Sequence, residues 1–192
     1  MKASPAKSII VSAPSGSGKT SIVKRVLQAL PELMFSVSAT SRSPRAGERD
    51  GVDYHFLSAS AFRQKIEQGD FLEWEEVYPG QFYGSLHGEV DRIWKMDRVA
   101  IFDLDVVGGA NLKSAFGAQA LAIFIQAPSL QELEIRLRNR GTESPESLAT
   151  RISKAREEME YASAFDRIIV NDDLERASEE CIEAIRTFLS RK

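Results

Sequence analysis

Residues 13–20 read Ala-Pro-Ser-Gly-Ser-Gly-Lys-Thr, set between the apolar run Ile9-Ile10-Val11 and a stretch patterned as a helix. No other feature constrains the chain as strongly. Gly16 and Gly18 let the backbone curl so that successive N–H groups point inward at an anion. Lys19 can then reach the outer phosphates of a nucleotide, and the Thr20 hydroxyl can ligate Mg²⁺. The helix beyond adds N–H donors and partial positive charge at its start. Ala13 stands where the usual pattern has its first glycine. A chance match in a Gly-rich turn does not require a strand before it and a helix after it; this loop has both.

The rest of the chain reads as an α/β fold of the P-loop NTPase type, a parallel sheet flanked by helices. Ser8–Ser12, Val99–Phe102, Leu121–Ile125 and Ile168–Val170 are short apolar runs, as expected of strands buried on both faces. Lys19–Leu30 carries Ile22, Val23, Val26, Leu27 and Leu30 on one helical face and stops at Pro31. A last helix is predicted from about Asp173 to Leu189. Residues 38–88 differ in character: rich in Gly, Ser, Tyr and Phe, they read as an inserted β-rich lobe, interrupted by a helix over Ala59–Gln68. Residues 130–163 read as a helical lid, two helices joined at Asn139–Ser144. Ser129 with Glu132 forms a capping box for the first; Ser144 caps the second, with Pro145 at its first position. The expected organisation is a single domain over 7–189, with 7–37, 89–129 and 164–189 as its core.

A formal net charge of −3 supplies no global field for nucleic acid or an anionic membrane, so anion binding must be local. Cys181 is the only cysteine and falls in the apolar stripe of the last helix, which fits a buried thiol and a reducing, cytoplasmic setting. The apolar runs are too short to span a bilayer. Asp103 closes the strand Val99–Phe102, where an acidic residue can hold the water shell of Mg²⁺, and Asp105 follows it. Arg42 and Arg45 flank Pro44 and present two guanidinium forks suited to phosphate, though a solvated basic turn has the same spacing. Arg136 and Arg140, four apart, project from one helical face, with Arg151 beyond the joint. His55 and His87 need no catalytic role.

Several long motifs then occur in register: Ser38–Phe56, Phe71-Leu72-Glu73-Trp74, Phe82-Tyr83-Gly84-Ser85, Arg140-Gly141-Thr142-Glu143 and Val170-Asn171-Asp172-Asp173. Together they resemble the guanylate kinases over nearly the whole chain. Ser41 where Thr is usual, and Phe82 where Tyr is common, are small departures. The resemblance implies transfer of the γ-phosphoryl of Mg-ATP to GMP in purine nucleotide metabolism. It implies ATP on Ala13, Pro14, Ser15, Gly16, Ser17, Gly18, Lys19 and Thr20, with Asn171 near the adenine. Arg42, Arg45, Tyr54 and Tyr83 are implied to grip the GMP phosphate, with Glu48 in support. Ser38, Glu73, Ser85 and Asp105 are implied to contact guanine. Lys19, Arg42, Arg136, Arg140 and Arg151 are implied to be catalytic, and Thr20 and Asp103 to hold Mg²⁺, the one cofactor. The expected partners are ATP and GMP (with dGMP as a related substrate), and no nucleic acid, membrane or obligatory protein partner. A carboxylate at Glu73 can accept from the N1–H and 2-amino group of guanine, whereas adenine offers it a bare lone pair. Two other readings stay open: a kinase for another nucleoside monophosphate, and a scaffold that binds phosphorylated peptides in the same lobe.

Overall fold

The computed structural model of the protein describes residues 7–139 and 145–191. Arg140 and the expected joint and cap residues Gly141–Ser144 lie outside the described residues. The chain opens with β1 (Ser8–Ser12), α1 (Lys19–Ala29) and β2 (Leu33–Phe35). Next come β3 (Ala39–Thr40), β4 (His55–Phe56), α2 (Ala59–Glu67), β5 (Phe71–Tyr78) and β6 (Gln81–Leu86). It continues through α3 (His87–Lys95), β7 (Val99–Leu104), α4 (Val106–Phe116) and β8 (Ala120–Gln126). It ends with α5 (Leu130–Asn139), α6 (Pro145–Glu160), β9 (Arg167–Val170) and α7 (Leu174–Ser190).

Five strands form one parallel sheet in the order β2-β7-β1-β8-β9. β1 lies at its centre and every residue of β1 is buried. Its side chains alternate between two cores. Ile9 and Val11 join Ile101 and Ile123 beneath α1 and α7, while Ile10 joins Phe102 and Phe124 beneath α3 and α4. Covering both faces explains why β1, β7 and β8 are continuous apolar runs; β9, expected to be buried on both faces, lies at the sheet edge and buries only Ile169, leaving Ile168 and Val170 exposed. Each wholly buried Ile contributes roughly 1.5–3 kcal/mol relative to an exposed one. Cys181 lies in the first core, fully buried, and burial pushes its thiol up to about 12, as the apolar stripe implied.

A second sheet, in the order β4-β3-β6-β5, is built from the segment between β2 and α3. Its own small core stacks Phe62 on Phe71 with ring centroids 4.4 Å apart, and Phe82 joins them. The sequence periodicity missed four of these strands and helices. β2 and β3 are only three and two residues long, too short to show a pattern. α3 begins at His87, inside the stretch expected to be β-rich. α4 reads Val-Val-Gly-Gly-Ala-Asn-Leu, whose glycines and β-branched residues are poor helix formers.

Those glycines have a packing reason. A Cβ on Gly109 would lie 2.1 Å from Ser12 Oγ, so α4 can approach the end of β1 only without a side chain there. Ser12 Oγ also donates to the Asp105 carbonyl at 3.0 Å, tying β1 to the start of α4. Gly109→Ala is therefore expected to cost about 1–3 kcal/mol by overpacking, measured as a lower urea midpoint. Adding Ser12→Ala should recover part of the loss; a Gly109→Ala midpoint equal to the parent's would contradict this packing.

Candidate active site

The phosphate loop leaves β1 at the sheet's centre and enters α1 through Gly18, whose φ of 90° is left-handed. Glycine adopts that conformation at little cost, and it has no side chain to cap the helix. The first N–H groups of α1 are thus left for an external anion. A Cβ at Gly18 would also meet Asn171 Nδ2 at 2.2 Å. That amide donates to the Ser17 carbonyl at 2.7 Å from a buried position at the end of β9. Asn171 therefore braces the loop at Ser17 and is not part of the cleft wall around Lys19.

β1 and β7 run side by side with Val11 opposite Asp103, so the acidic strand end falls beside the loop. Lys19 Nζ lies 2.5 Å from Asp103 Oδ1 and also donates to the Leu104 carbonyl. Thr20 is exposed and lines the same cleft.

Facing the loop, the second sheet presents a set of polar groups. Arg42 makes a two-pronged pair with Glu48, Nη1 to Oε2 at 2.6 Å and Nη2 to Oε1 at 2.7 Å. Its Nε donates to the Tyr83 hydroxyl at 3.2 Å, and its guanidinium lies 5.0 Å from the Tyr54 ring centre. Glu48 also accepts the Arg45 N–H at 2.7 Å, so one carboxylate shapes the turn and aims the arginine. Hydrogen bonding to Arg42 holds the Glu48 carboxyl down to about 2. Burial pushes the Tyr54 phenol up, keeping it a protonated donor.

Glu73, on β5, accepts from Ser85 Oγ at 2.8 Å across the strand pair. Its Oε2 lies 2.8 Å from where a Cβ on Gly108 would stand, so the carboxylate rests on the bare backbone of α4. Asp105 caps that helix, its Oδ1 accepting the Gly108 N–H at 2.8 Å. Burial is the main cause that pushes the Glu73 carboxyl up to about 7.

Helix α6 closes the third side. Arg151 Nη1 reaches Ser15 Oγ at 3.5 Å, and Lys154 and Glu158 line the cleft with it. On α5, Ser129 caps as expected through the Glu132 N–H at 3.0 Å. The other half of the expected box is replaced: the Glu132 carboxylate takes the Nε of Arg136 at 2.9 Å, an ionic partner outcompeting a backbone N–H.

One cleft thus gathers Ala13, Pro14, Ser15, Gly16, Gly18, Lys19, Thr20, Ser38, Tyr54, Glu73, Tyr83, Asp103, Asp105 and Arg151. Ser17 is buried beneath the loop, and Ser85 is buried behind Glu73. Arg42, Arg45, Glu48 and Arg136 do not line the cleft's wall, and Arg140 lies outside the described residues. Sequence reasoning passed over Lys154 and Glu158, which in one dimension look like an ordinary solvated face, and Gly108, whose role needs the β5 contact.

The family model described as guanylate kinase matches residues 5–188. The chain belongs to the guanylate kinase family. It is 50% identical to the guanylate kinase of Bacteroides thetaiotaomicron over 97% of this chain and 91% of that one. It is 52% identical to that of Salinibacter ruber, over 95% of this chain and 96% of the relative. The fold is similar to the crystal structure of guanylate kinase from Anaplasma phagocytophilum, with a TM-score of 0.79 and 25% identity. That match covers 98% of this chain and 89% of the other.

The Glu48 shift has a testable sign. A carboxyl lowered from 4.5 to about 2 in the fold adds stability above pH 4.5 that is lost as pH falls toward 2. The stability difference between the parent and Glu48→Gln should be flat above about pH 5 and shrink below it, measured by urea denaturation. A difference that instead grew on acidification would refute the pairing.

Proposed function

We propose that this cleft transfers the γ-phosphoryl group of ATP to GMP, giving ADP and GDP in purine nucleotide metabolism. One observation carries the reading: the phosphate loop and the Glu73–Ser85 pair line or back the same cleft. Residues 7–37, 89–129 and 164–189 serve as the core, 38–88 as the GMP-binding lobe and 130–163 as the lid. Loop residues Ala13–Thr20 receive the phosphates of ATP, and Asn171, which braces the loop at Ser17, lies near the adenine. Arg42, Arg45, Tyr54 and Tyr83 take the GMP phosphate, and Glu48 holds Arg42 in place. Ser38, Glu73, Ser85 and Asp105 read the guanine. The ATP terminal P–O bond breaks, a GMP phosphate oxygen bonds to that phosphorus, and ADP departs with the electron pair.

No general base is needed, because the GMP phosphate is ionised at neutral pH. Catalysis is alignment and charge neutralisation. Lys19 exchanges Asp103 for the outer phosphates, while Arg42, Arg136, Arg140 and Arg151 spread positive charge around the moving group. Closing the lobe and lid keeps water from taking the phosphoryl. The residues present fit Mg²⁺: the Thr20 hydroxyl and Asp103 carboxylate are oxygen donors at the cleft, and this ion draws its remaining ligands from water and phosphates. When bound, Mg²⁺ neutralises phosphate charge. The substrates are ATP and GMP, with dGMP as a further acceptor. No helix among the described residues is long and apolar enough to cross a membrane.

The test is ADP formation with Mg-ATP and, separately, GMP, AMP, CMP or UMP. Turnover confined to GMP is expected; preference for AMP would overturn the role of Glu73, and inactivity with every acceptor would overturn the reading. Lys19→Ala should lower kcat by about 10²–10³ while the circular dichroism spectrum is retained. Glu73 must be ionised to accept two guanine donors, and its carboxyl stands near 7. The kcat/KM for GMP should therefore rise with pH through about 7 and level off above it. Glu73→Gln should abolish this acid limb and lower kcat/KM about a hundredfold, the cost of a lost charged acceptor.

A further inference from the structure

Lys154 stands at the meeting point of three parts of the cleft. It projects from the inner face of α6, one turn from Arg151, and lines the cleft with Glu73 and Asp105. Its Nζ lies 5.3 Å from the centre of the Tyr78 ring on β5 and 3.9 Å from Glu158 Oε1 on its own helix. A helix that belongs to the lid thus puts its ammonium onto a strand that belongs to the GMP lobe.

What it meets there is a crowd of carboxyl groups. Glu73 and Glu75 are two apart on β5 and so share a face. Glu75 Oε2 is buried with no hydrogen-bond donor among the described residues. Burial, and then the nearby Asp105 carboxylate at the start of α4, push the Glu75 carboxyl up. Glu158 adds a further acidic group from α6, where it faces Ser15 and Lys19 of the phosphate loop. Around Lys154 the charged and titratable groups are therefore Glu73, Glu75 and Tyr78 from β5 and Asp105 from α4. Arg151 and Glu158 come from α6, with Lys19 beyond Glu158.

We propose that Lys154 is a positioning residue that couples the lid to guanine recognition: its ammonium offsets the carboxyl charge of Glu75, Asp105 and Glu158 and so lets Glu73 stay ionised. The inference rests on the reading of Glu73 as the guanine acceptor. Its physical basis is additive. Each neighbouring negative charge raises the free energy of ionising Glu73, and a cation delivered by α6 lowers it. Closure of the lid and readiness of the guanine site are then one event, because the same side chain belongs to both.

Lys154→Met should move the acid limb of the GMP kcat/KM profile to higher pH. At pH 7 the loss should be about five- to tenfold, a charge effect of the size expected near a protein surface, and it should vanish at pH 9. KM for ATP should change little. Lys154→Arg should restore the parent profile, and Glu75→Gln in the Lys154→Met background should recover much of the loss by removing a competing charge. An unmoved limb, or a loss of equal size at every pH, overturns the coupling. A second readout needs no turnover: ¹³C NMR of the glutamate carboxyls, with Glu75 assigned from its loss in Glu75→Gln. Its titration midpoint should rise in Lys154→Met. An unchanged midpoint overturns the proposal whatever nucleotide the enzyme accepts, while a raised midpoint in a chain inactive on GMP would support the charge coupling and refute only the reading of Glu73.

Discussion

The parallel pairing of β1 with β7 is the constraint on which the site depends. Val11 opposite Asp103 brings the phosphate loop and the acidic strand end to the same edge of the sheet. β1 is central and wholly buried, so a slip of one residue would turn Ile10 out of one core and Ile9 and Val11 out of the other. The cost of such a slip, several buried aliphatic side chains, holds the Lys19–Asp103 pair in place. The crevice beyond the carboxyl ends of these strands is where open parallel sheets bind ligands.

Around that fixed edge, the rest of the cleft is made of parts that hold one another. Glu48 aims Arg42, Ser85 and the bare backbone at Gly108 seat Glu73, and Asn171 supports the loop at Ser17. In each case a polar side chain, or the loop backbone itself, is held in place by a neighbour. This arrangement limits the freedom of long polar side chains before a nucleotide enters, and pre-organisation of this kind is what electrostatic catalysis requires.

Charge is distributed unevenly in the cleft. The loop and α6 bring cations and backbone donors, whereas β5 and the start of α4 bring carboxyl groups. A donor-rich end suits phosphate, and an acceptor-rich end suits the N–H edge of a base. The two ends are bridged by α6, whose Arg151 touches Ser15 and whose Lys154 lies against Tyr78. One helix therefore touches both the loop and β5.

Much of the fold was legible in one dimension. The loop at 13–20, the apolar runs of β1, β7 and β8 and the amphipathic stripes of α1 and α7 depend on local pattern and on burial of whole strands, and the chain expresses both directly. Long motifs such as Phe71–Trp74 and Phe82–Ser85 were enough to name the family. α4 was hidden because its glycines answer to contacts with Ser12 and Glu73 rather than to helix propensity. The bracing role of Asn171 was also hidden, since it depends on a loop 154 residues away in sequence. The sequence by itself determined the phosphate chemistry and the parallel sheet, which rest on residue type and short-range order. Only the tertiary structure decided which carboxyl groups are crowded, which arginine is aimed and which lysine of α6 lies against β5, because charge interactions depend on distance through space and not along the chain.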